Sequence, residues 1–135
     1  MKIRIHSKNT VLTATLNESK TAINFAALLP VNLNLDDYGQ SSKISKLAQR
    51  LDVTDADDGF APKAGDIIYF APLGNIAIFY EDVKYSSGLI KIGELDGNAK
   101  ALKAIENIKA RIDLTEQDAY NVLSMLKNKE LQEDE

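Results

Sequence analysis

The sequence predicts a mainly β domain, a closed or nearly closed barrel of short strands with flanking helices. Three observations carry that expectation. Most segments alternate apolar and polar residues with a period of two, as half-buried strands do. Near the middle, "DIIYFAP" and "NIAIFYE" are continuous apolar runs joined by a Pro-Leu-Gly turn, the pattern of strands buried on both faces. No strand-helix alternation recurs along the chain that would signal a parallel sheet.

At the N-terminus Ile3 and Ile5 alternate with Lys2, Arg4 and His6, and after the turn formers "SKN" the run "TVLTATL" sets Leu12, Ala14 and Leu16 on one face, giving a hairpin. "NESKTAINFAALLP" reads as a buried helix, capped by Asn17 or Ser19, apolar on most sides around Phe25 and stopped by Pro30. Val31, Leu33 and Leu35 then alternate with Asn32 and Asn34 in a strand that "DDYG" should end in a turn. "SSKISKLAQRLDV" supports two readings: Ile44, Leu47, Ala48 and Leu51 stand at helical spacing, whereas the serines and the β-branched Ile44 suit an edge strand.

"DVTDADDGFAPKAG" has the composition of a loop. Beyond the central pair, "GLIKIGEL" is a further strand, and "GNAKALKAIENI" a short helix capped by Asn98 with Leu102, Ile105 and Ile108 on one side. "KARIDL" places Ala110, Ile112 and Leu114 on one face, suited to pair with the N-terminal hairpin and so to close the sheet. In "TEQDAYNVLSMLKNK", Thr115 is the N-cap, acidic residues fill the first turn, and Ala119, Val122, Leu123 and Leu126 form one apolar stripe. That stripe should be buried on the barrel itself or, as the alternative, in a homodimer contact. The acidic tail "ELQEDE" follows.

A chain of 135 residues fits one domain, with the barrel over residues 1–114 and an appended helix and tail over 115–135. With 44% hydrophobic and 27% charged residues the chain should fold unaided. The net charge is -4 and the 16 basic residues are spread along the sequence without a cluster, which weighs against nucleic acid as a partner. No cysteine is present, so disulfides, thiolate metal sites and cysteine nucleophiles are all absent. No run approaches the ~20 apolar residues that span a bilayer, and "MKIRIHSKNT" alternates instead of building a signal-peptide stretch, so a cytoplasmic protein without a membrane partner is expected.

Chemistry-bearing constellations are sparse. His6 is the only histidine, on the polar side of a strand, with no acid and nucleophilic serine at triad spacing and no second imidazole for a metal. Asp52, Asp55, Asp57 and Asp58 do not match a calcium loop and read as a solvated acidic loop. There is no Gly-rich phosphate loop, and neither a metal nor a cofactor is expected.

The aromatic set is the remaining candidate. Tyr69 and Phe70 must point to opposite faces, as must Phe79 and Tyr80, so half of them leave the interior. Helices covering the outer face would make it core. Left open, it would be a groove in which Tyr38, Tyr69, Phe79 and Tyr85, with Asn75, Ser86 and Ser87 as hydrogen-bonding points, hold an extended peptide or a small ligand.

Several short motifs also occur in one order: "KIRI", "TATL", "FAALLPVNLNLDDYG", "KISKL", "AGDIIYF", "LGNIAIFY", "YSSGLIKIGELDG" and "ARIDL". Together they resemble the bacterial and archaeal cyclophilin-like fold family over about Met1 to Leu114. The resemblance implies a closed eight-stranded barrel with a helix at each open end, the C-terminal helix being an addition. It also moves "KISKL" towards strand up to Leu47, the spacing still allowing a helical turn after it. It implies a shape and no particular chemistry, since the Phe-His-Arg and Gln-Gly-Gly-Asp signatures of true cyclophilins are missing.

Twisting an X-Pro bond needs a donor, usually a guanidinium, beside an apolar pocket. Arg4 and Arg111 alternate with the apolar residues of terminal strands, which leaves Arg50 as the catalytic candidate, or else as a surface residue paired with Asp52 or a nearby carboxylate. The expected function is a non-catalytic binding or interaction domain for a peptide or small molecule, with a weak or unconventional peptidyl-prolyl isomerase as the alternative.

Overall fold

The structure, a computed structural model, describes residues 1–8, 10–104 and 107–133. Its strands are β1 (Lys2–His6), β2 (Val11–Leu16), β3 (Val31–Tyr38), β4 (Ser42–Lys46), β5 (Gly59–Phe60), β6 (Asp66–Phe70), β7 (Asn75–Phe79), β8 (Ser86–Ser87), β9 (Leu89–Leu95) and β10 (Asn107–Leu114). Helices α1 (Lys20–Ala27) and α2 (Glu116–Glu133) and a 3₁₀ helix (Ala99–Ala104) complete it. Eight strands close into an antiparallel barrel in the order β1-β10-β3-β4-β7-β6-β9-β2, and β5 and β8 form a separate ribbon.

Closure comes from the last strand. Ile112 of β10 lies opposite Ile5 of β1 and Val31 of β3, so the alternation in "KARIDL" bridges the two ends of the sheet, as expected. Closing the sheet removes its edges, which would otherwise present unpaired backbone groups. The interior is filled by one member of each alternating pair, including Ile3, Ile5, Ala14, Leu16, Leu35, Ile67, Ile76, Ile78 and Ile112. Helix α1 adds Phe25, Ala22 and Ala26 to this core. Of its two expected caps, Ser19 is the one used: its hydroxyl accepts from the Ala22 N–H at 3.1 Å.

Four expectations need correction. α1 buries one face only, since Lys20 and Ala27 are exposed. "DDYG" does not turn after Leu35; the strand continues to Tyr38, because Asp36, Asp37 and Tyr38 pair with Ile44, Lys43 and Ser42, and the turn falls at Gly39. The ambiguous segment is strand over Ser42–Lys46, and bends rather than a helical turn follow it. The segment "GNAKALKAIENI" is a 3₁₀ helix only to Ala104, capped by Asn98, whose side chain accepts from the Lys100 N–H. Leu102 is buried as expected, whereas Ile108 belongs to β10, claimed by pairing with Leu35; Ile105 lies outside the described residues.

Helix α2 is anchored near its start. Its first turn is tied to β1 by the Lys2 N–H donating to Asp118 Oδ2 at 2.7 Å, with Thr115 as the cap. Of the expected stripe only Val122 is buried; Ala119, Leu123 and Leu126 are exposed, the helix meeting the body chiefly along α1 and β10. Among the described residues no helix is long and apolar enough to cross a membrane.

Candidate functional site

The central hairpin β6–β7 is buried on both faces, and the two faces do different things. Tyr69 and Tyr80 join the barrel core, whereas Ile68, Ala77 and Phe79, with Leu89, form a second apolar cluster on the outside, against which Phe70 and Ile44 pack. Among the described residues, those packed against this outer cluster, Ile44, Phe60, Phe70 and Val83, all lie in strands or loops. The cover is the β5–β8 ribbon and its flanking loops, held by Val83 N–H to the Pro62 carbonyl at 2.9 Å and Gly88 N–H to the Asp58 carbonyl at 2.8 Å.

The ribbon covers only part of the cluster. Beside it lies a groove of about 230 Å³ on the outer face of β4, β7 and β6. Its floor is Ile44, Ala77, Phe79 and Leu89, and its walls are Phe70, Leu73, Val83 and Tyr38. Two rim residues are left open to solvent although large and apolar: Tyr38 is 66% exposed and Leu73 57%. Polar residues in the lining are few: Ser41, Ser42, Asn75 and Ser86. This is the composition of a small-molecule or side-chain pocket: mostly apolar lining with a few fixed hydrogen-bonding points.

Of the residues expected at the site, Tyr38, Asn75, Phe79 and Ser86 meet in this groove. Tyr69 does not: it is 1% exposed inside the barrel, where its hydroxyl accepts the Leu51 N–H at 3.0 Å. Tyr85 is exposed and sits beside Gly59, where a Cβ would come within 2.7 Å of its ring, and Ser87 pairs with Gly59 in the ribbon. Neither lines the groove. Sequence reasoning passed over Leu73, an apolar residue at the apex of a turn, where solvation normally selects polar residues; that misplacement was a readable signal.

Arg50 is exposed, as its surface reading expects, but its partners are different. Its guanidinium donates to the Ala71 carbonyl at 2.8 Å and the Pro72 carbonyl at 3.4 Å, pinning the β6–β7 turn. It meets no carboxylate there, and among the described lining residues the groove has no cation. His6, half-buried, makes a 3.1 Å contact with Asp113, which also takes the Arg4 fork. In the acidic loop Asp55 pairs with Lys20 at 2.7 Å. Among the described residues no three His, Cys, Asp or Glu side chains converge as a metal site.

Behind the groove, on the barrel side of the same strands, a polar cluster closes the wall. Lys43 is fully buried and its Nζ lies 2.7 Å from Asp37 Oδ1; the Tyr80 hydroxyl donates to the same oxygen at 3.0 Å. The hydrogen bond from Lys43 holds the Asp37 carboxyl below its ordinary value of 3.8, and burial, reinforced by Asp37, pushes the Tyr80 hydroxyl above its ordinary 10.0.

Known structures share this architecture. A hypothetical protein from Archaeoglobus fulgidus, solved in solution, is 18% identical with a TM-score of 0.62, over 85% of this chain and 95% of that one. McbB in complex with tryptophan is 14% identical with a TM-score of 0.62, over 84% of this chain but only 45% of McbB. At these identities the likeness is one of fold. No curated protein matches the chain. The family assignment rests on sequence: from the middle of β1 to the first residue of α2, residues 5–116 match the model of the Cyclophilin-like family, and the chain belongs to that family.

Proposed function

We propose that the protein is a non-catalytic binding module whose ligand, a peptide segment or a small molecule with an apolar side chain, lies in the groove on β4, β7 and β6. The observation that carries this is the rim: Tyr38 and Leu73 stay in water beside an apolar floor, where burying them against a ligand would gain roughly 25 cal/mol per Å². Asn75 and Ser86 would orient the ligand through hydrogen bonds. Support against isomerase chemistry comes from Arg50, whose donors are directed to backbone carbonyls of a turn.

The test is a nuclear magnetic resonance titration of the labelled chain with N-acetyl amides of tryptophan, phenylalanine, leucine and proline. The tryptophan compound is included because McbB was solved with tryptophan. Saturable shifts confined to Leu73, Asn75, Phe79 and Ser86 are expected, weakened at least about fivefold by Tyr38→Ala or Leu73→Ala. Both substitutions are at exposed positions and should move stability by no more than about 0.5 kcal/mol. Shifts elsewhere that ignore both substitutions would sink the groove. Prolyl cis-trans turnover abolished by Arg50→Ala would replace this reading with the isomerase.

A further inference from the structure

We propose that the outer face of β1, β10 and β3 binds a small multivalent anion of the phosphorylated-molecule class. This face occupies a different arc of the barrel from the groove and does not depend on it.

The strand register assembles the site. His6 of β1 lies opposite Arg111 of β10, Arg111 lies opposite Asn32 of β3, and Lys109 lies opposite Asn34. Because Ile5, Ala110, Ile112, Leu33 and Leu35 fill the interior, the alternating positions between them face water. Lys8, from the turn after β1, joins Lys109, Arg111, Asn32 and Asn34 around one concavity of about 450 Å³. Residues scattered across the sequence thus meet in one place.

What distinguishes this face is that three cations gather on it. The chain has 20 acidic residues against 16 basic, and Lys2, Arg4, Lys20, Lys43, Lys91 and Lys103 each pair with a carboxylate. Lys8, Lys109 and Arg111 are in none of these pairs, as is also true of Lys46, Arg50, Lys63, Lys84, Lys100 and Lys127 among the described residues, but these three line one concavity. On the same face Asp113 is already taken by Arg4 and His6, and Asp36 lies opposite Asn107 and pairs with no cation of this face. Three neighbouring cations left uncompensated in an acidic protein repel one another and raise the local anion concentration.

The donor types fit a phosphate. A guanidinium offers a planar fork to two oxygens, ammonium groups supply point charge, and the amides of Asn32 and Asn34 add neutral donors. A nucleic acid strand fits poorly: among the described lining residues there is no Phe, Tyr or Trp for base stacking, only the His6 ring, and a volume of about 450 Å³ is that of a small-ligand site.

The experiment titrates the full labelled chain with pyrophosphate at low ionic strength. Saturable amide shifts are expected at Asn32, Asn34, Lys109 and Arg111, and Arg111→Ala and Lys109→Ala should each weaken binding about tenfold. Lys63→Ala, remote from the face, should leave it unchanged. Arg111 and Lys109 are exposed, and the spectrum of each variant reports its own folding. Shifts spread evenly over lysine-bearing strands, or an affinity that neither substitution alters, would refute the site. Tighter binding of a single-stranded oligonucleotide, per phosphate, than of pyrophosphate would assign the face to nucleic acid and overturn the proposal.

Discussion

At the scale of single residues, the most instructive pair is Tyr69 and Phe79. Each is a large aromatic in the central hairpin, and each sits beside another aromatic of opposite orientation, yet one supports the interior and the other floors the groove. A second decisive residue is Gly93, where a Cβ would lie 2.5 Å from the Thr15 carbonyl oxygen, a backbone atom with little room to yield. Gly93→Ala should therefore force β9 from β2 and cost about 1–3 kcal/mol, read as a lower denaturant midpoint with unchanged slope. In the buried cluster, Asp37→Ala strips a carboxylate from the fully buried Lys43, whereas Lys43→Met removes the charge itself. Thermal melts should rank Asp37→Ala as the more destabilising of the two. Equal midpoints would show that Asp37 contributes no more than its solvent-facing half.

At the scale of elements, α2 is docked near its start, and apolar side chains just beyond Val122 are exposed. Val122 is 3% exposed and Leu123 is 55% exposed, although they are neighbours on the same amphipathic pattern. Val122→Ala should cost roughly 1–2 kcal/mol in chemical denaturation, and Leu123→Ala no more than about 0.5 kcal/mol. A large loss at Leu123 would mean that the helix buries a second face. The helix itself was legible from Thr115, its acidic first turn and its 3.6-residue period. Which side would be covered was not, because helical spacing identifies an apolar stripe without saying what meets it. The same holds for "GNAKALKAIENI": its local pattern suited a helix, but ladder bonds to β3 converted its last residues into strand. Tertiary pairing overrode local preference there.

For the whole molecule, the ion pairs hold together segments that are distant in the chain. Asp96 is held below the ordinary carboxylate value by hydrogen bonds from Lys2 and Thr15, and Asp118 by the Lys2 backbone N–H. For Asp113 burial alone would raise the value, but His6 and Arg4 more than offset it. Each folded value lies below its unfolded one, so the stability these groups contribute is complete above the ordinary value of 3.8 and is lost as pH falls through the lower folded values. Melting temperature should therefore hold down to about pH 4 and decline below it, more shallowly in Asp113→Asn.

The sequence by itself determined that the chain is a mainly β barrel, where most strands lie, and that aromatic residues of the central hairpin must divide between two faces. Those follow from local sterics, since successive side chains in a strand necessarily oppose each other. Only the tertiary structure decided which face is inside. A period of two has no preferred sign, and burial on both sides of β6 and β7 erased the polar cue that would have supplied one. Closure, too, was settled by pairing between residues such as His6 and Asp113, 107 positions apart. That same long-range register drew Lys8, Lys109 and Arg111, which look dispersed along the chain, onto a single face.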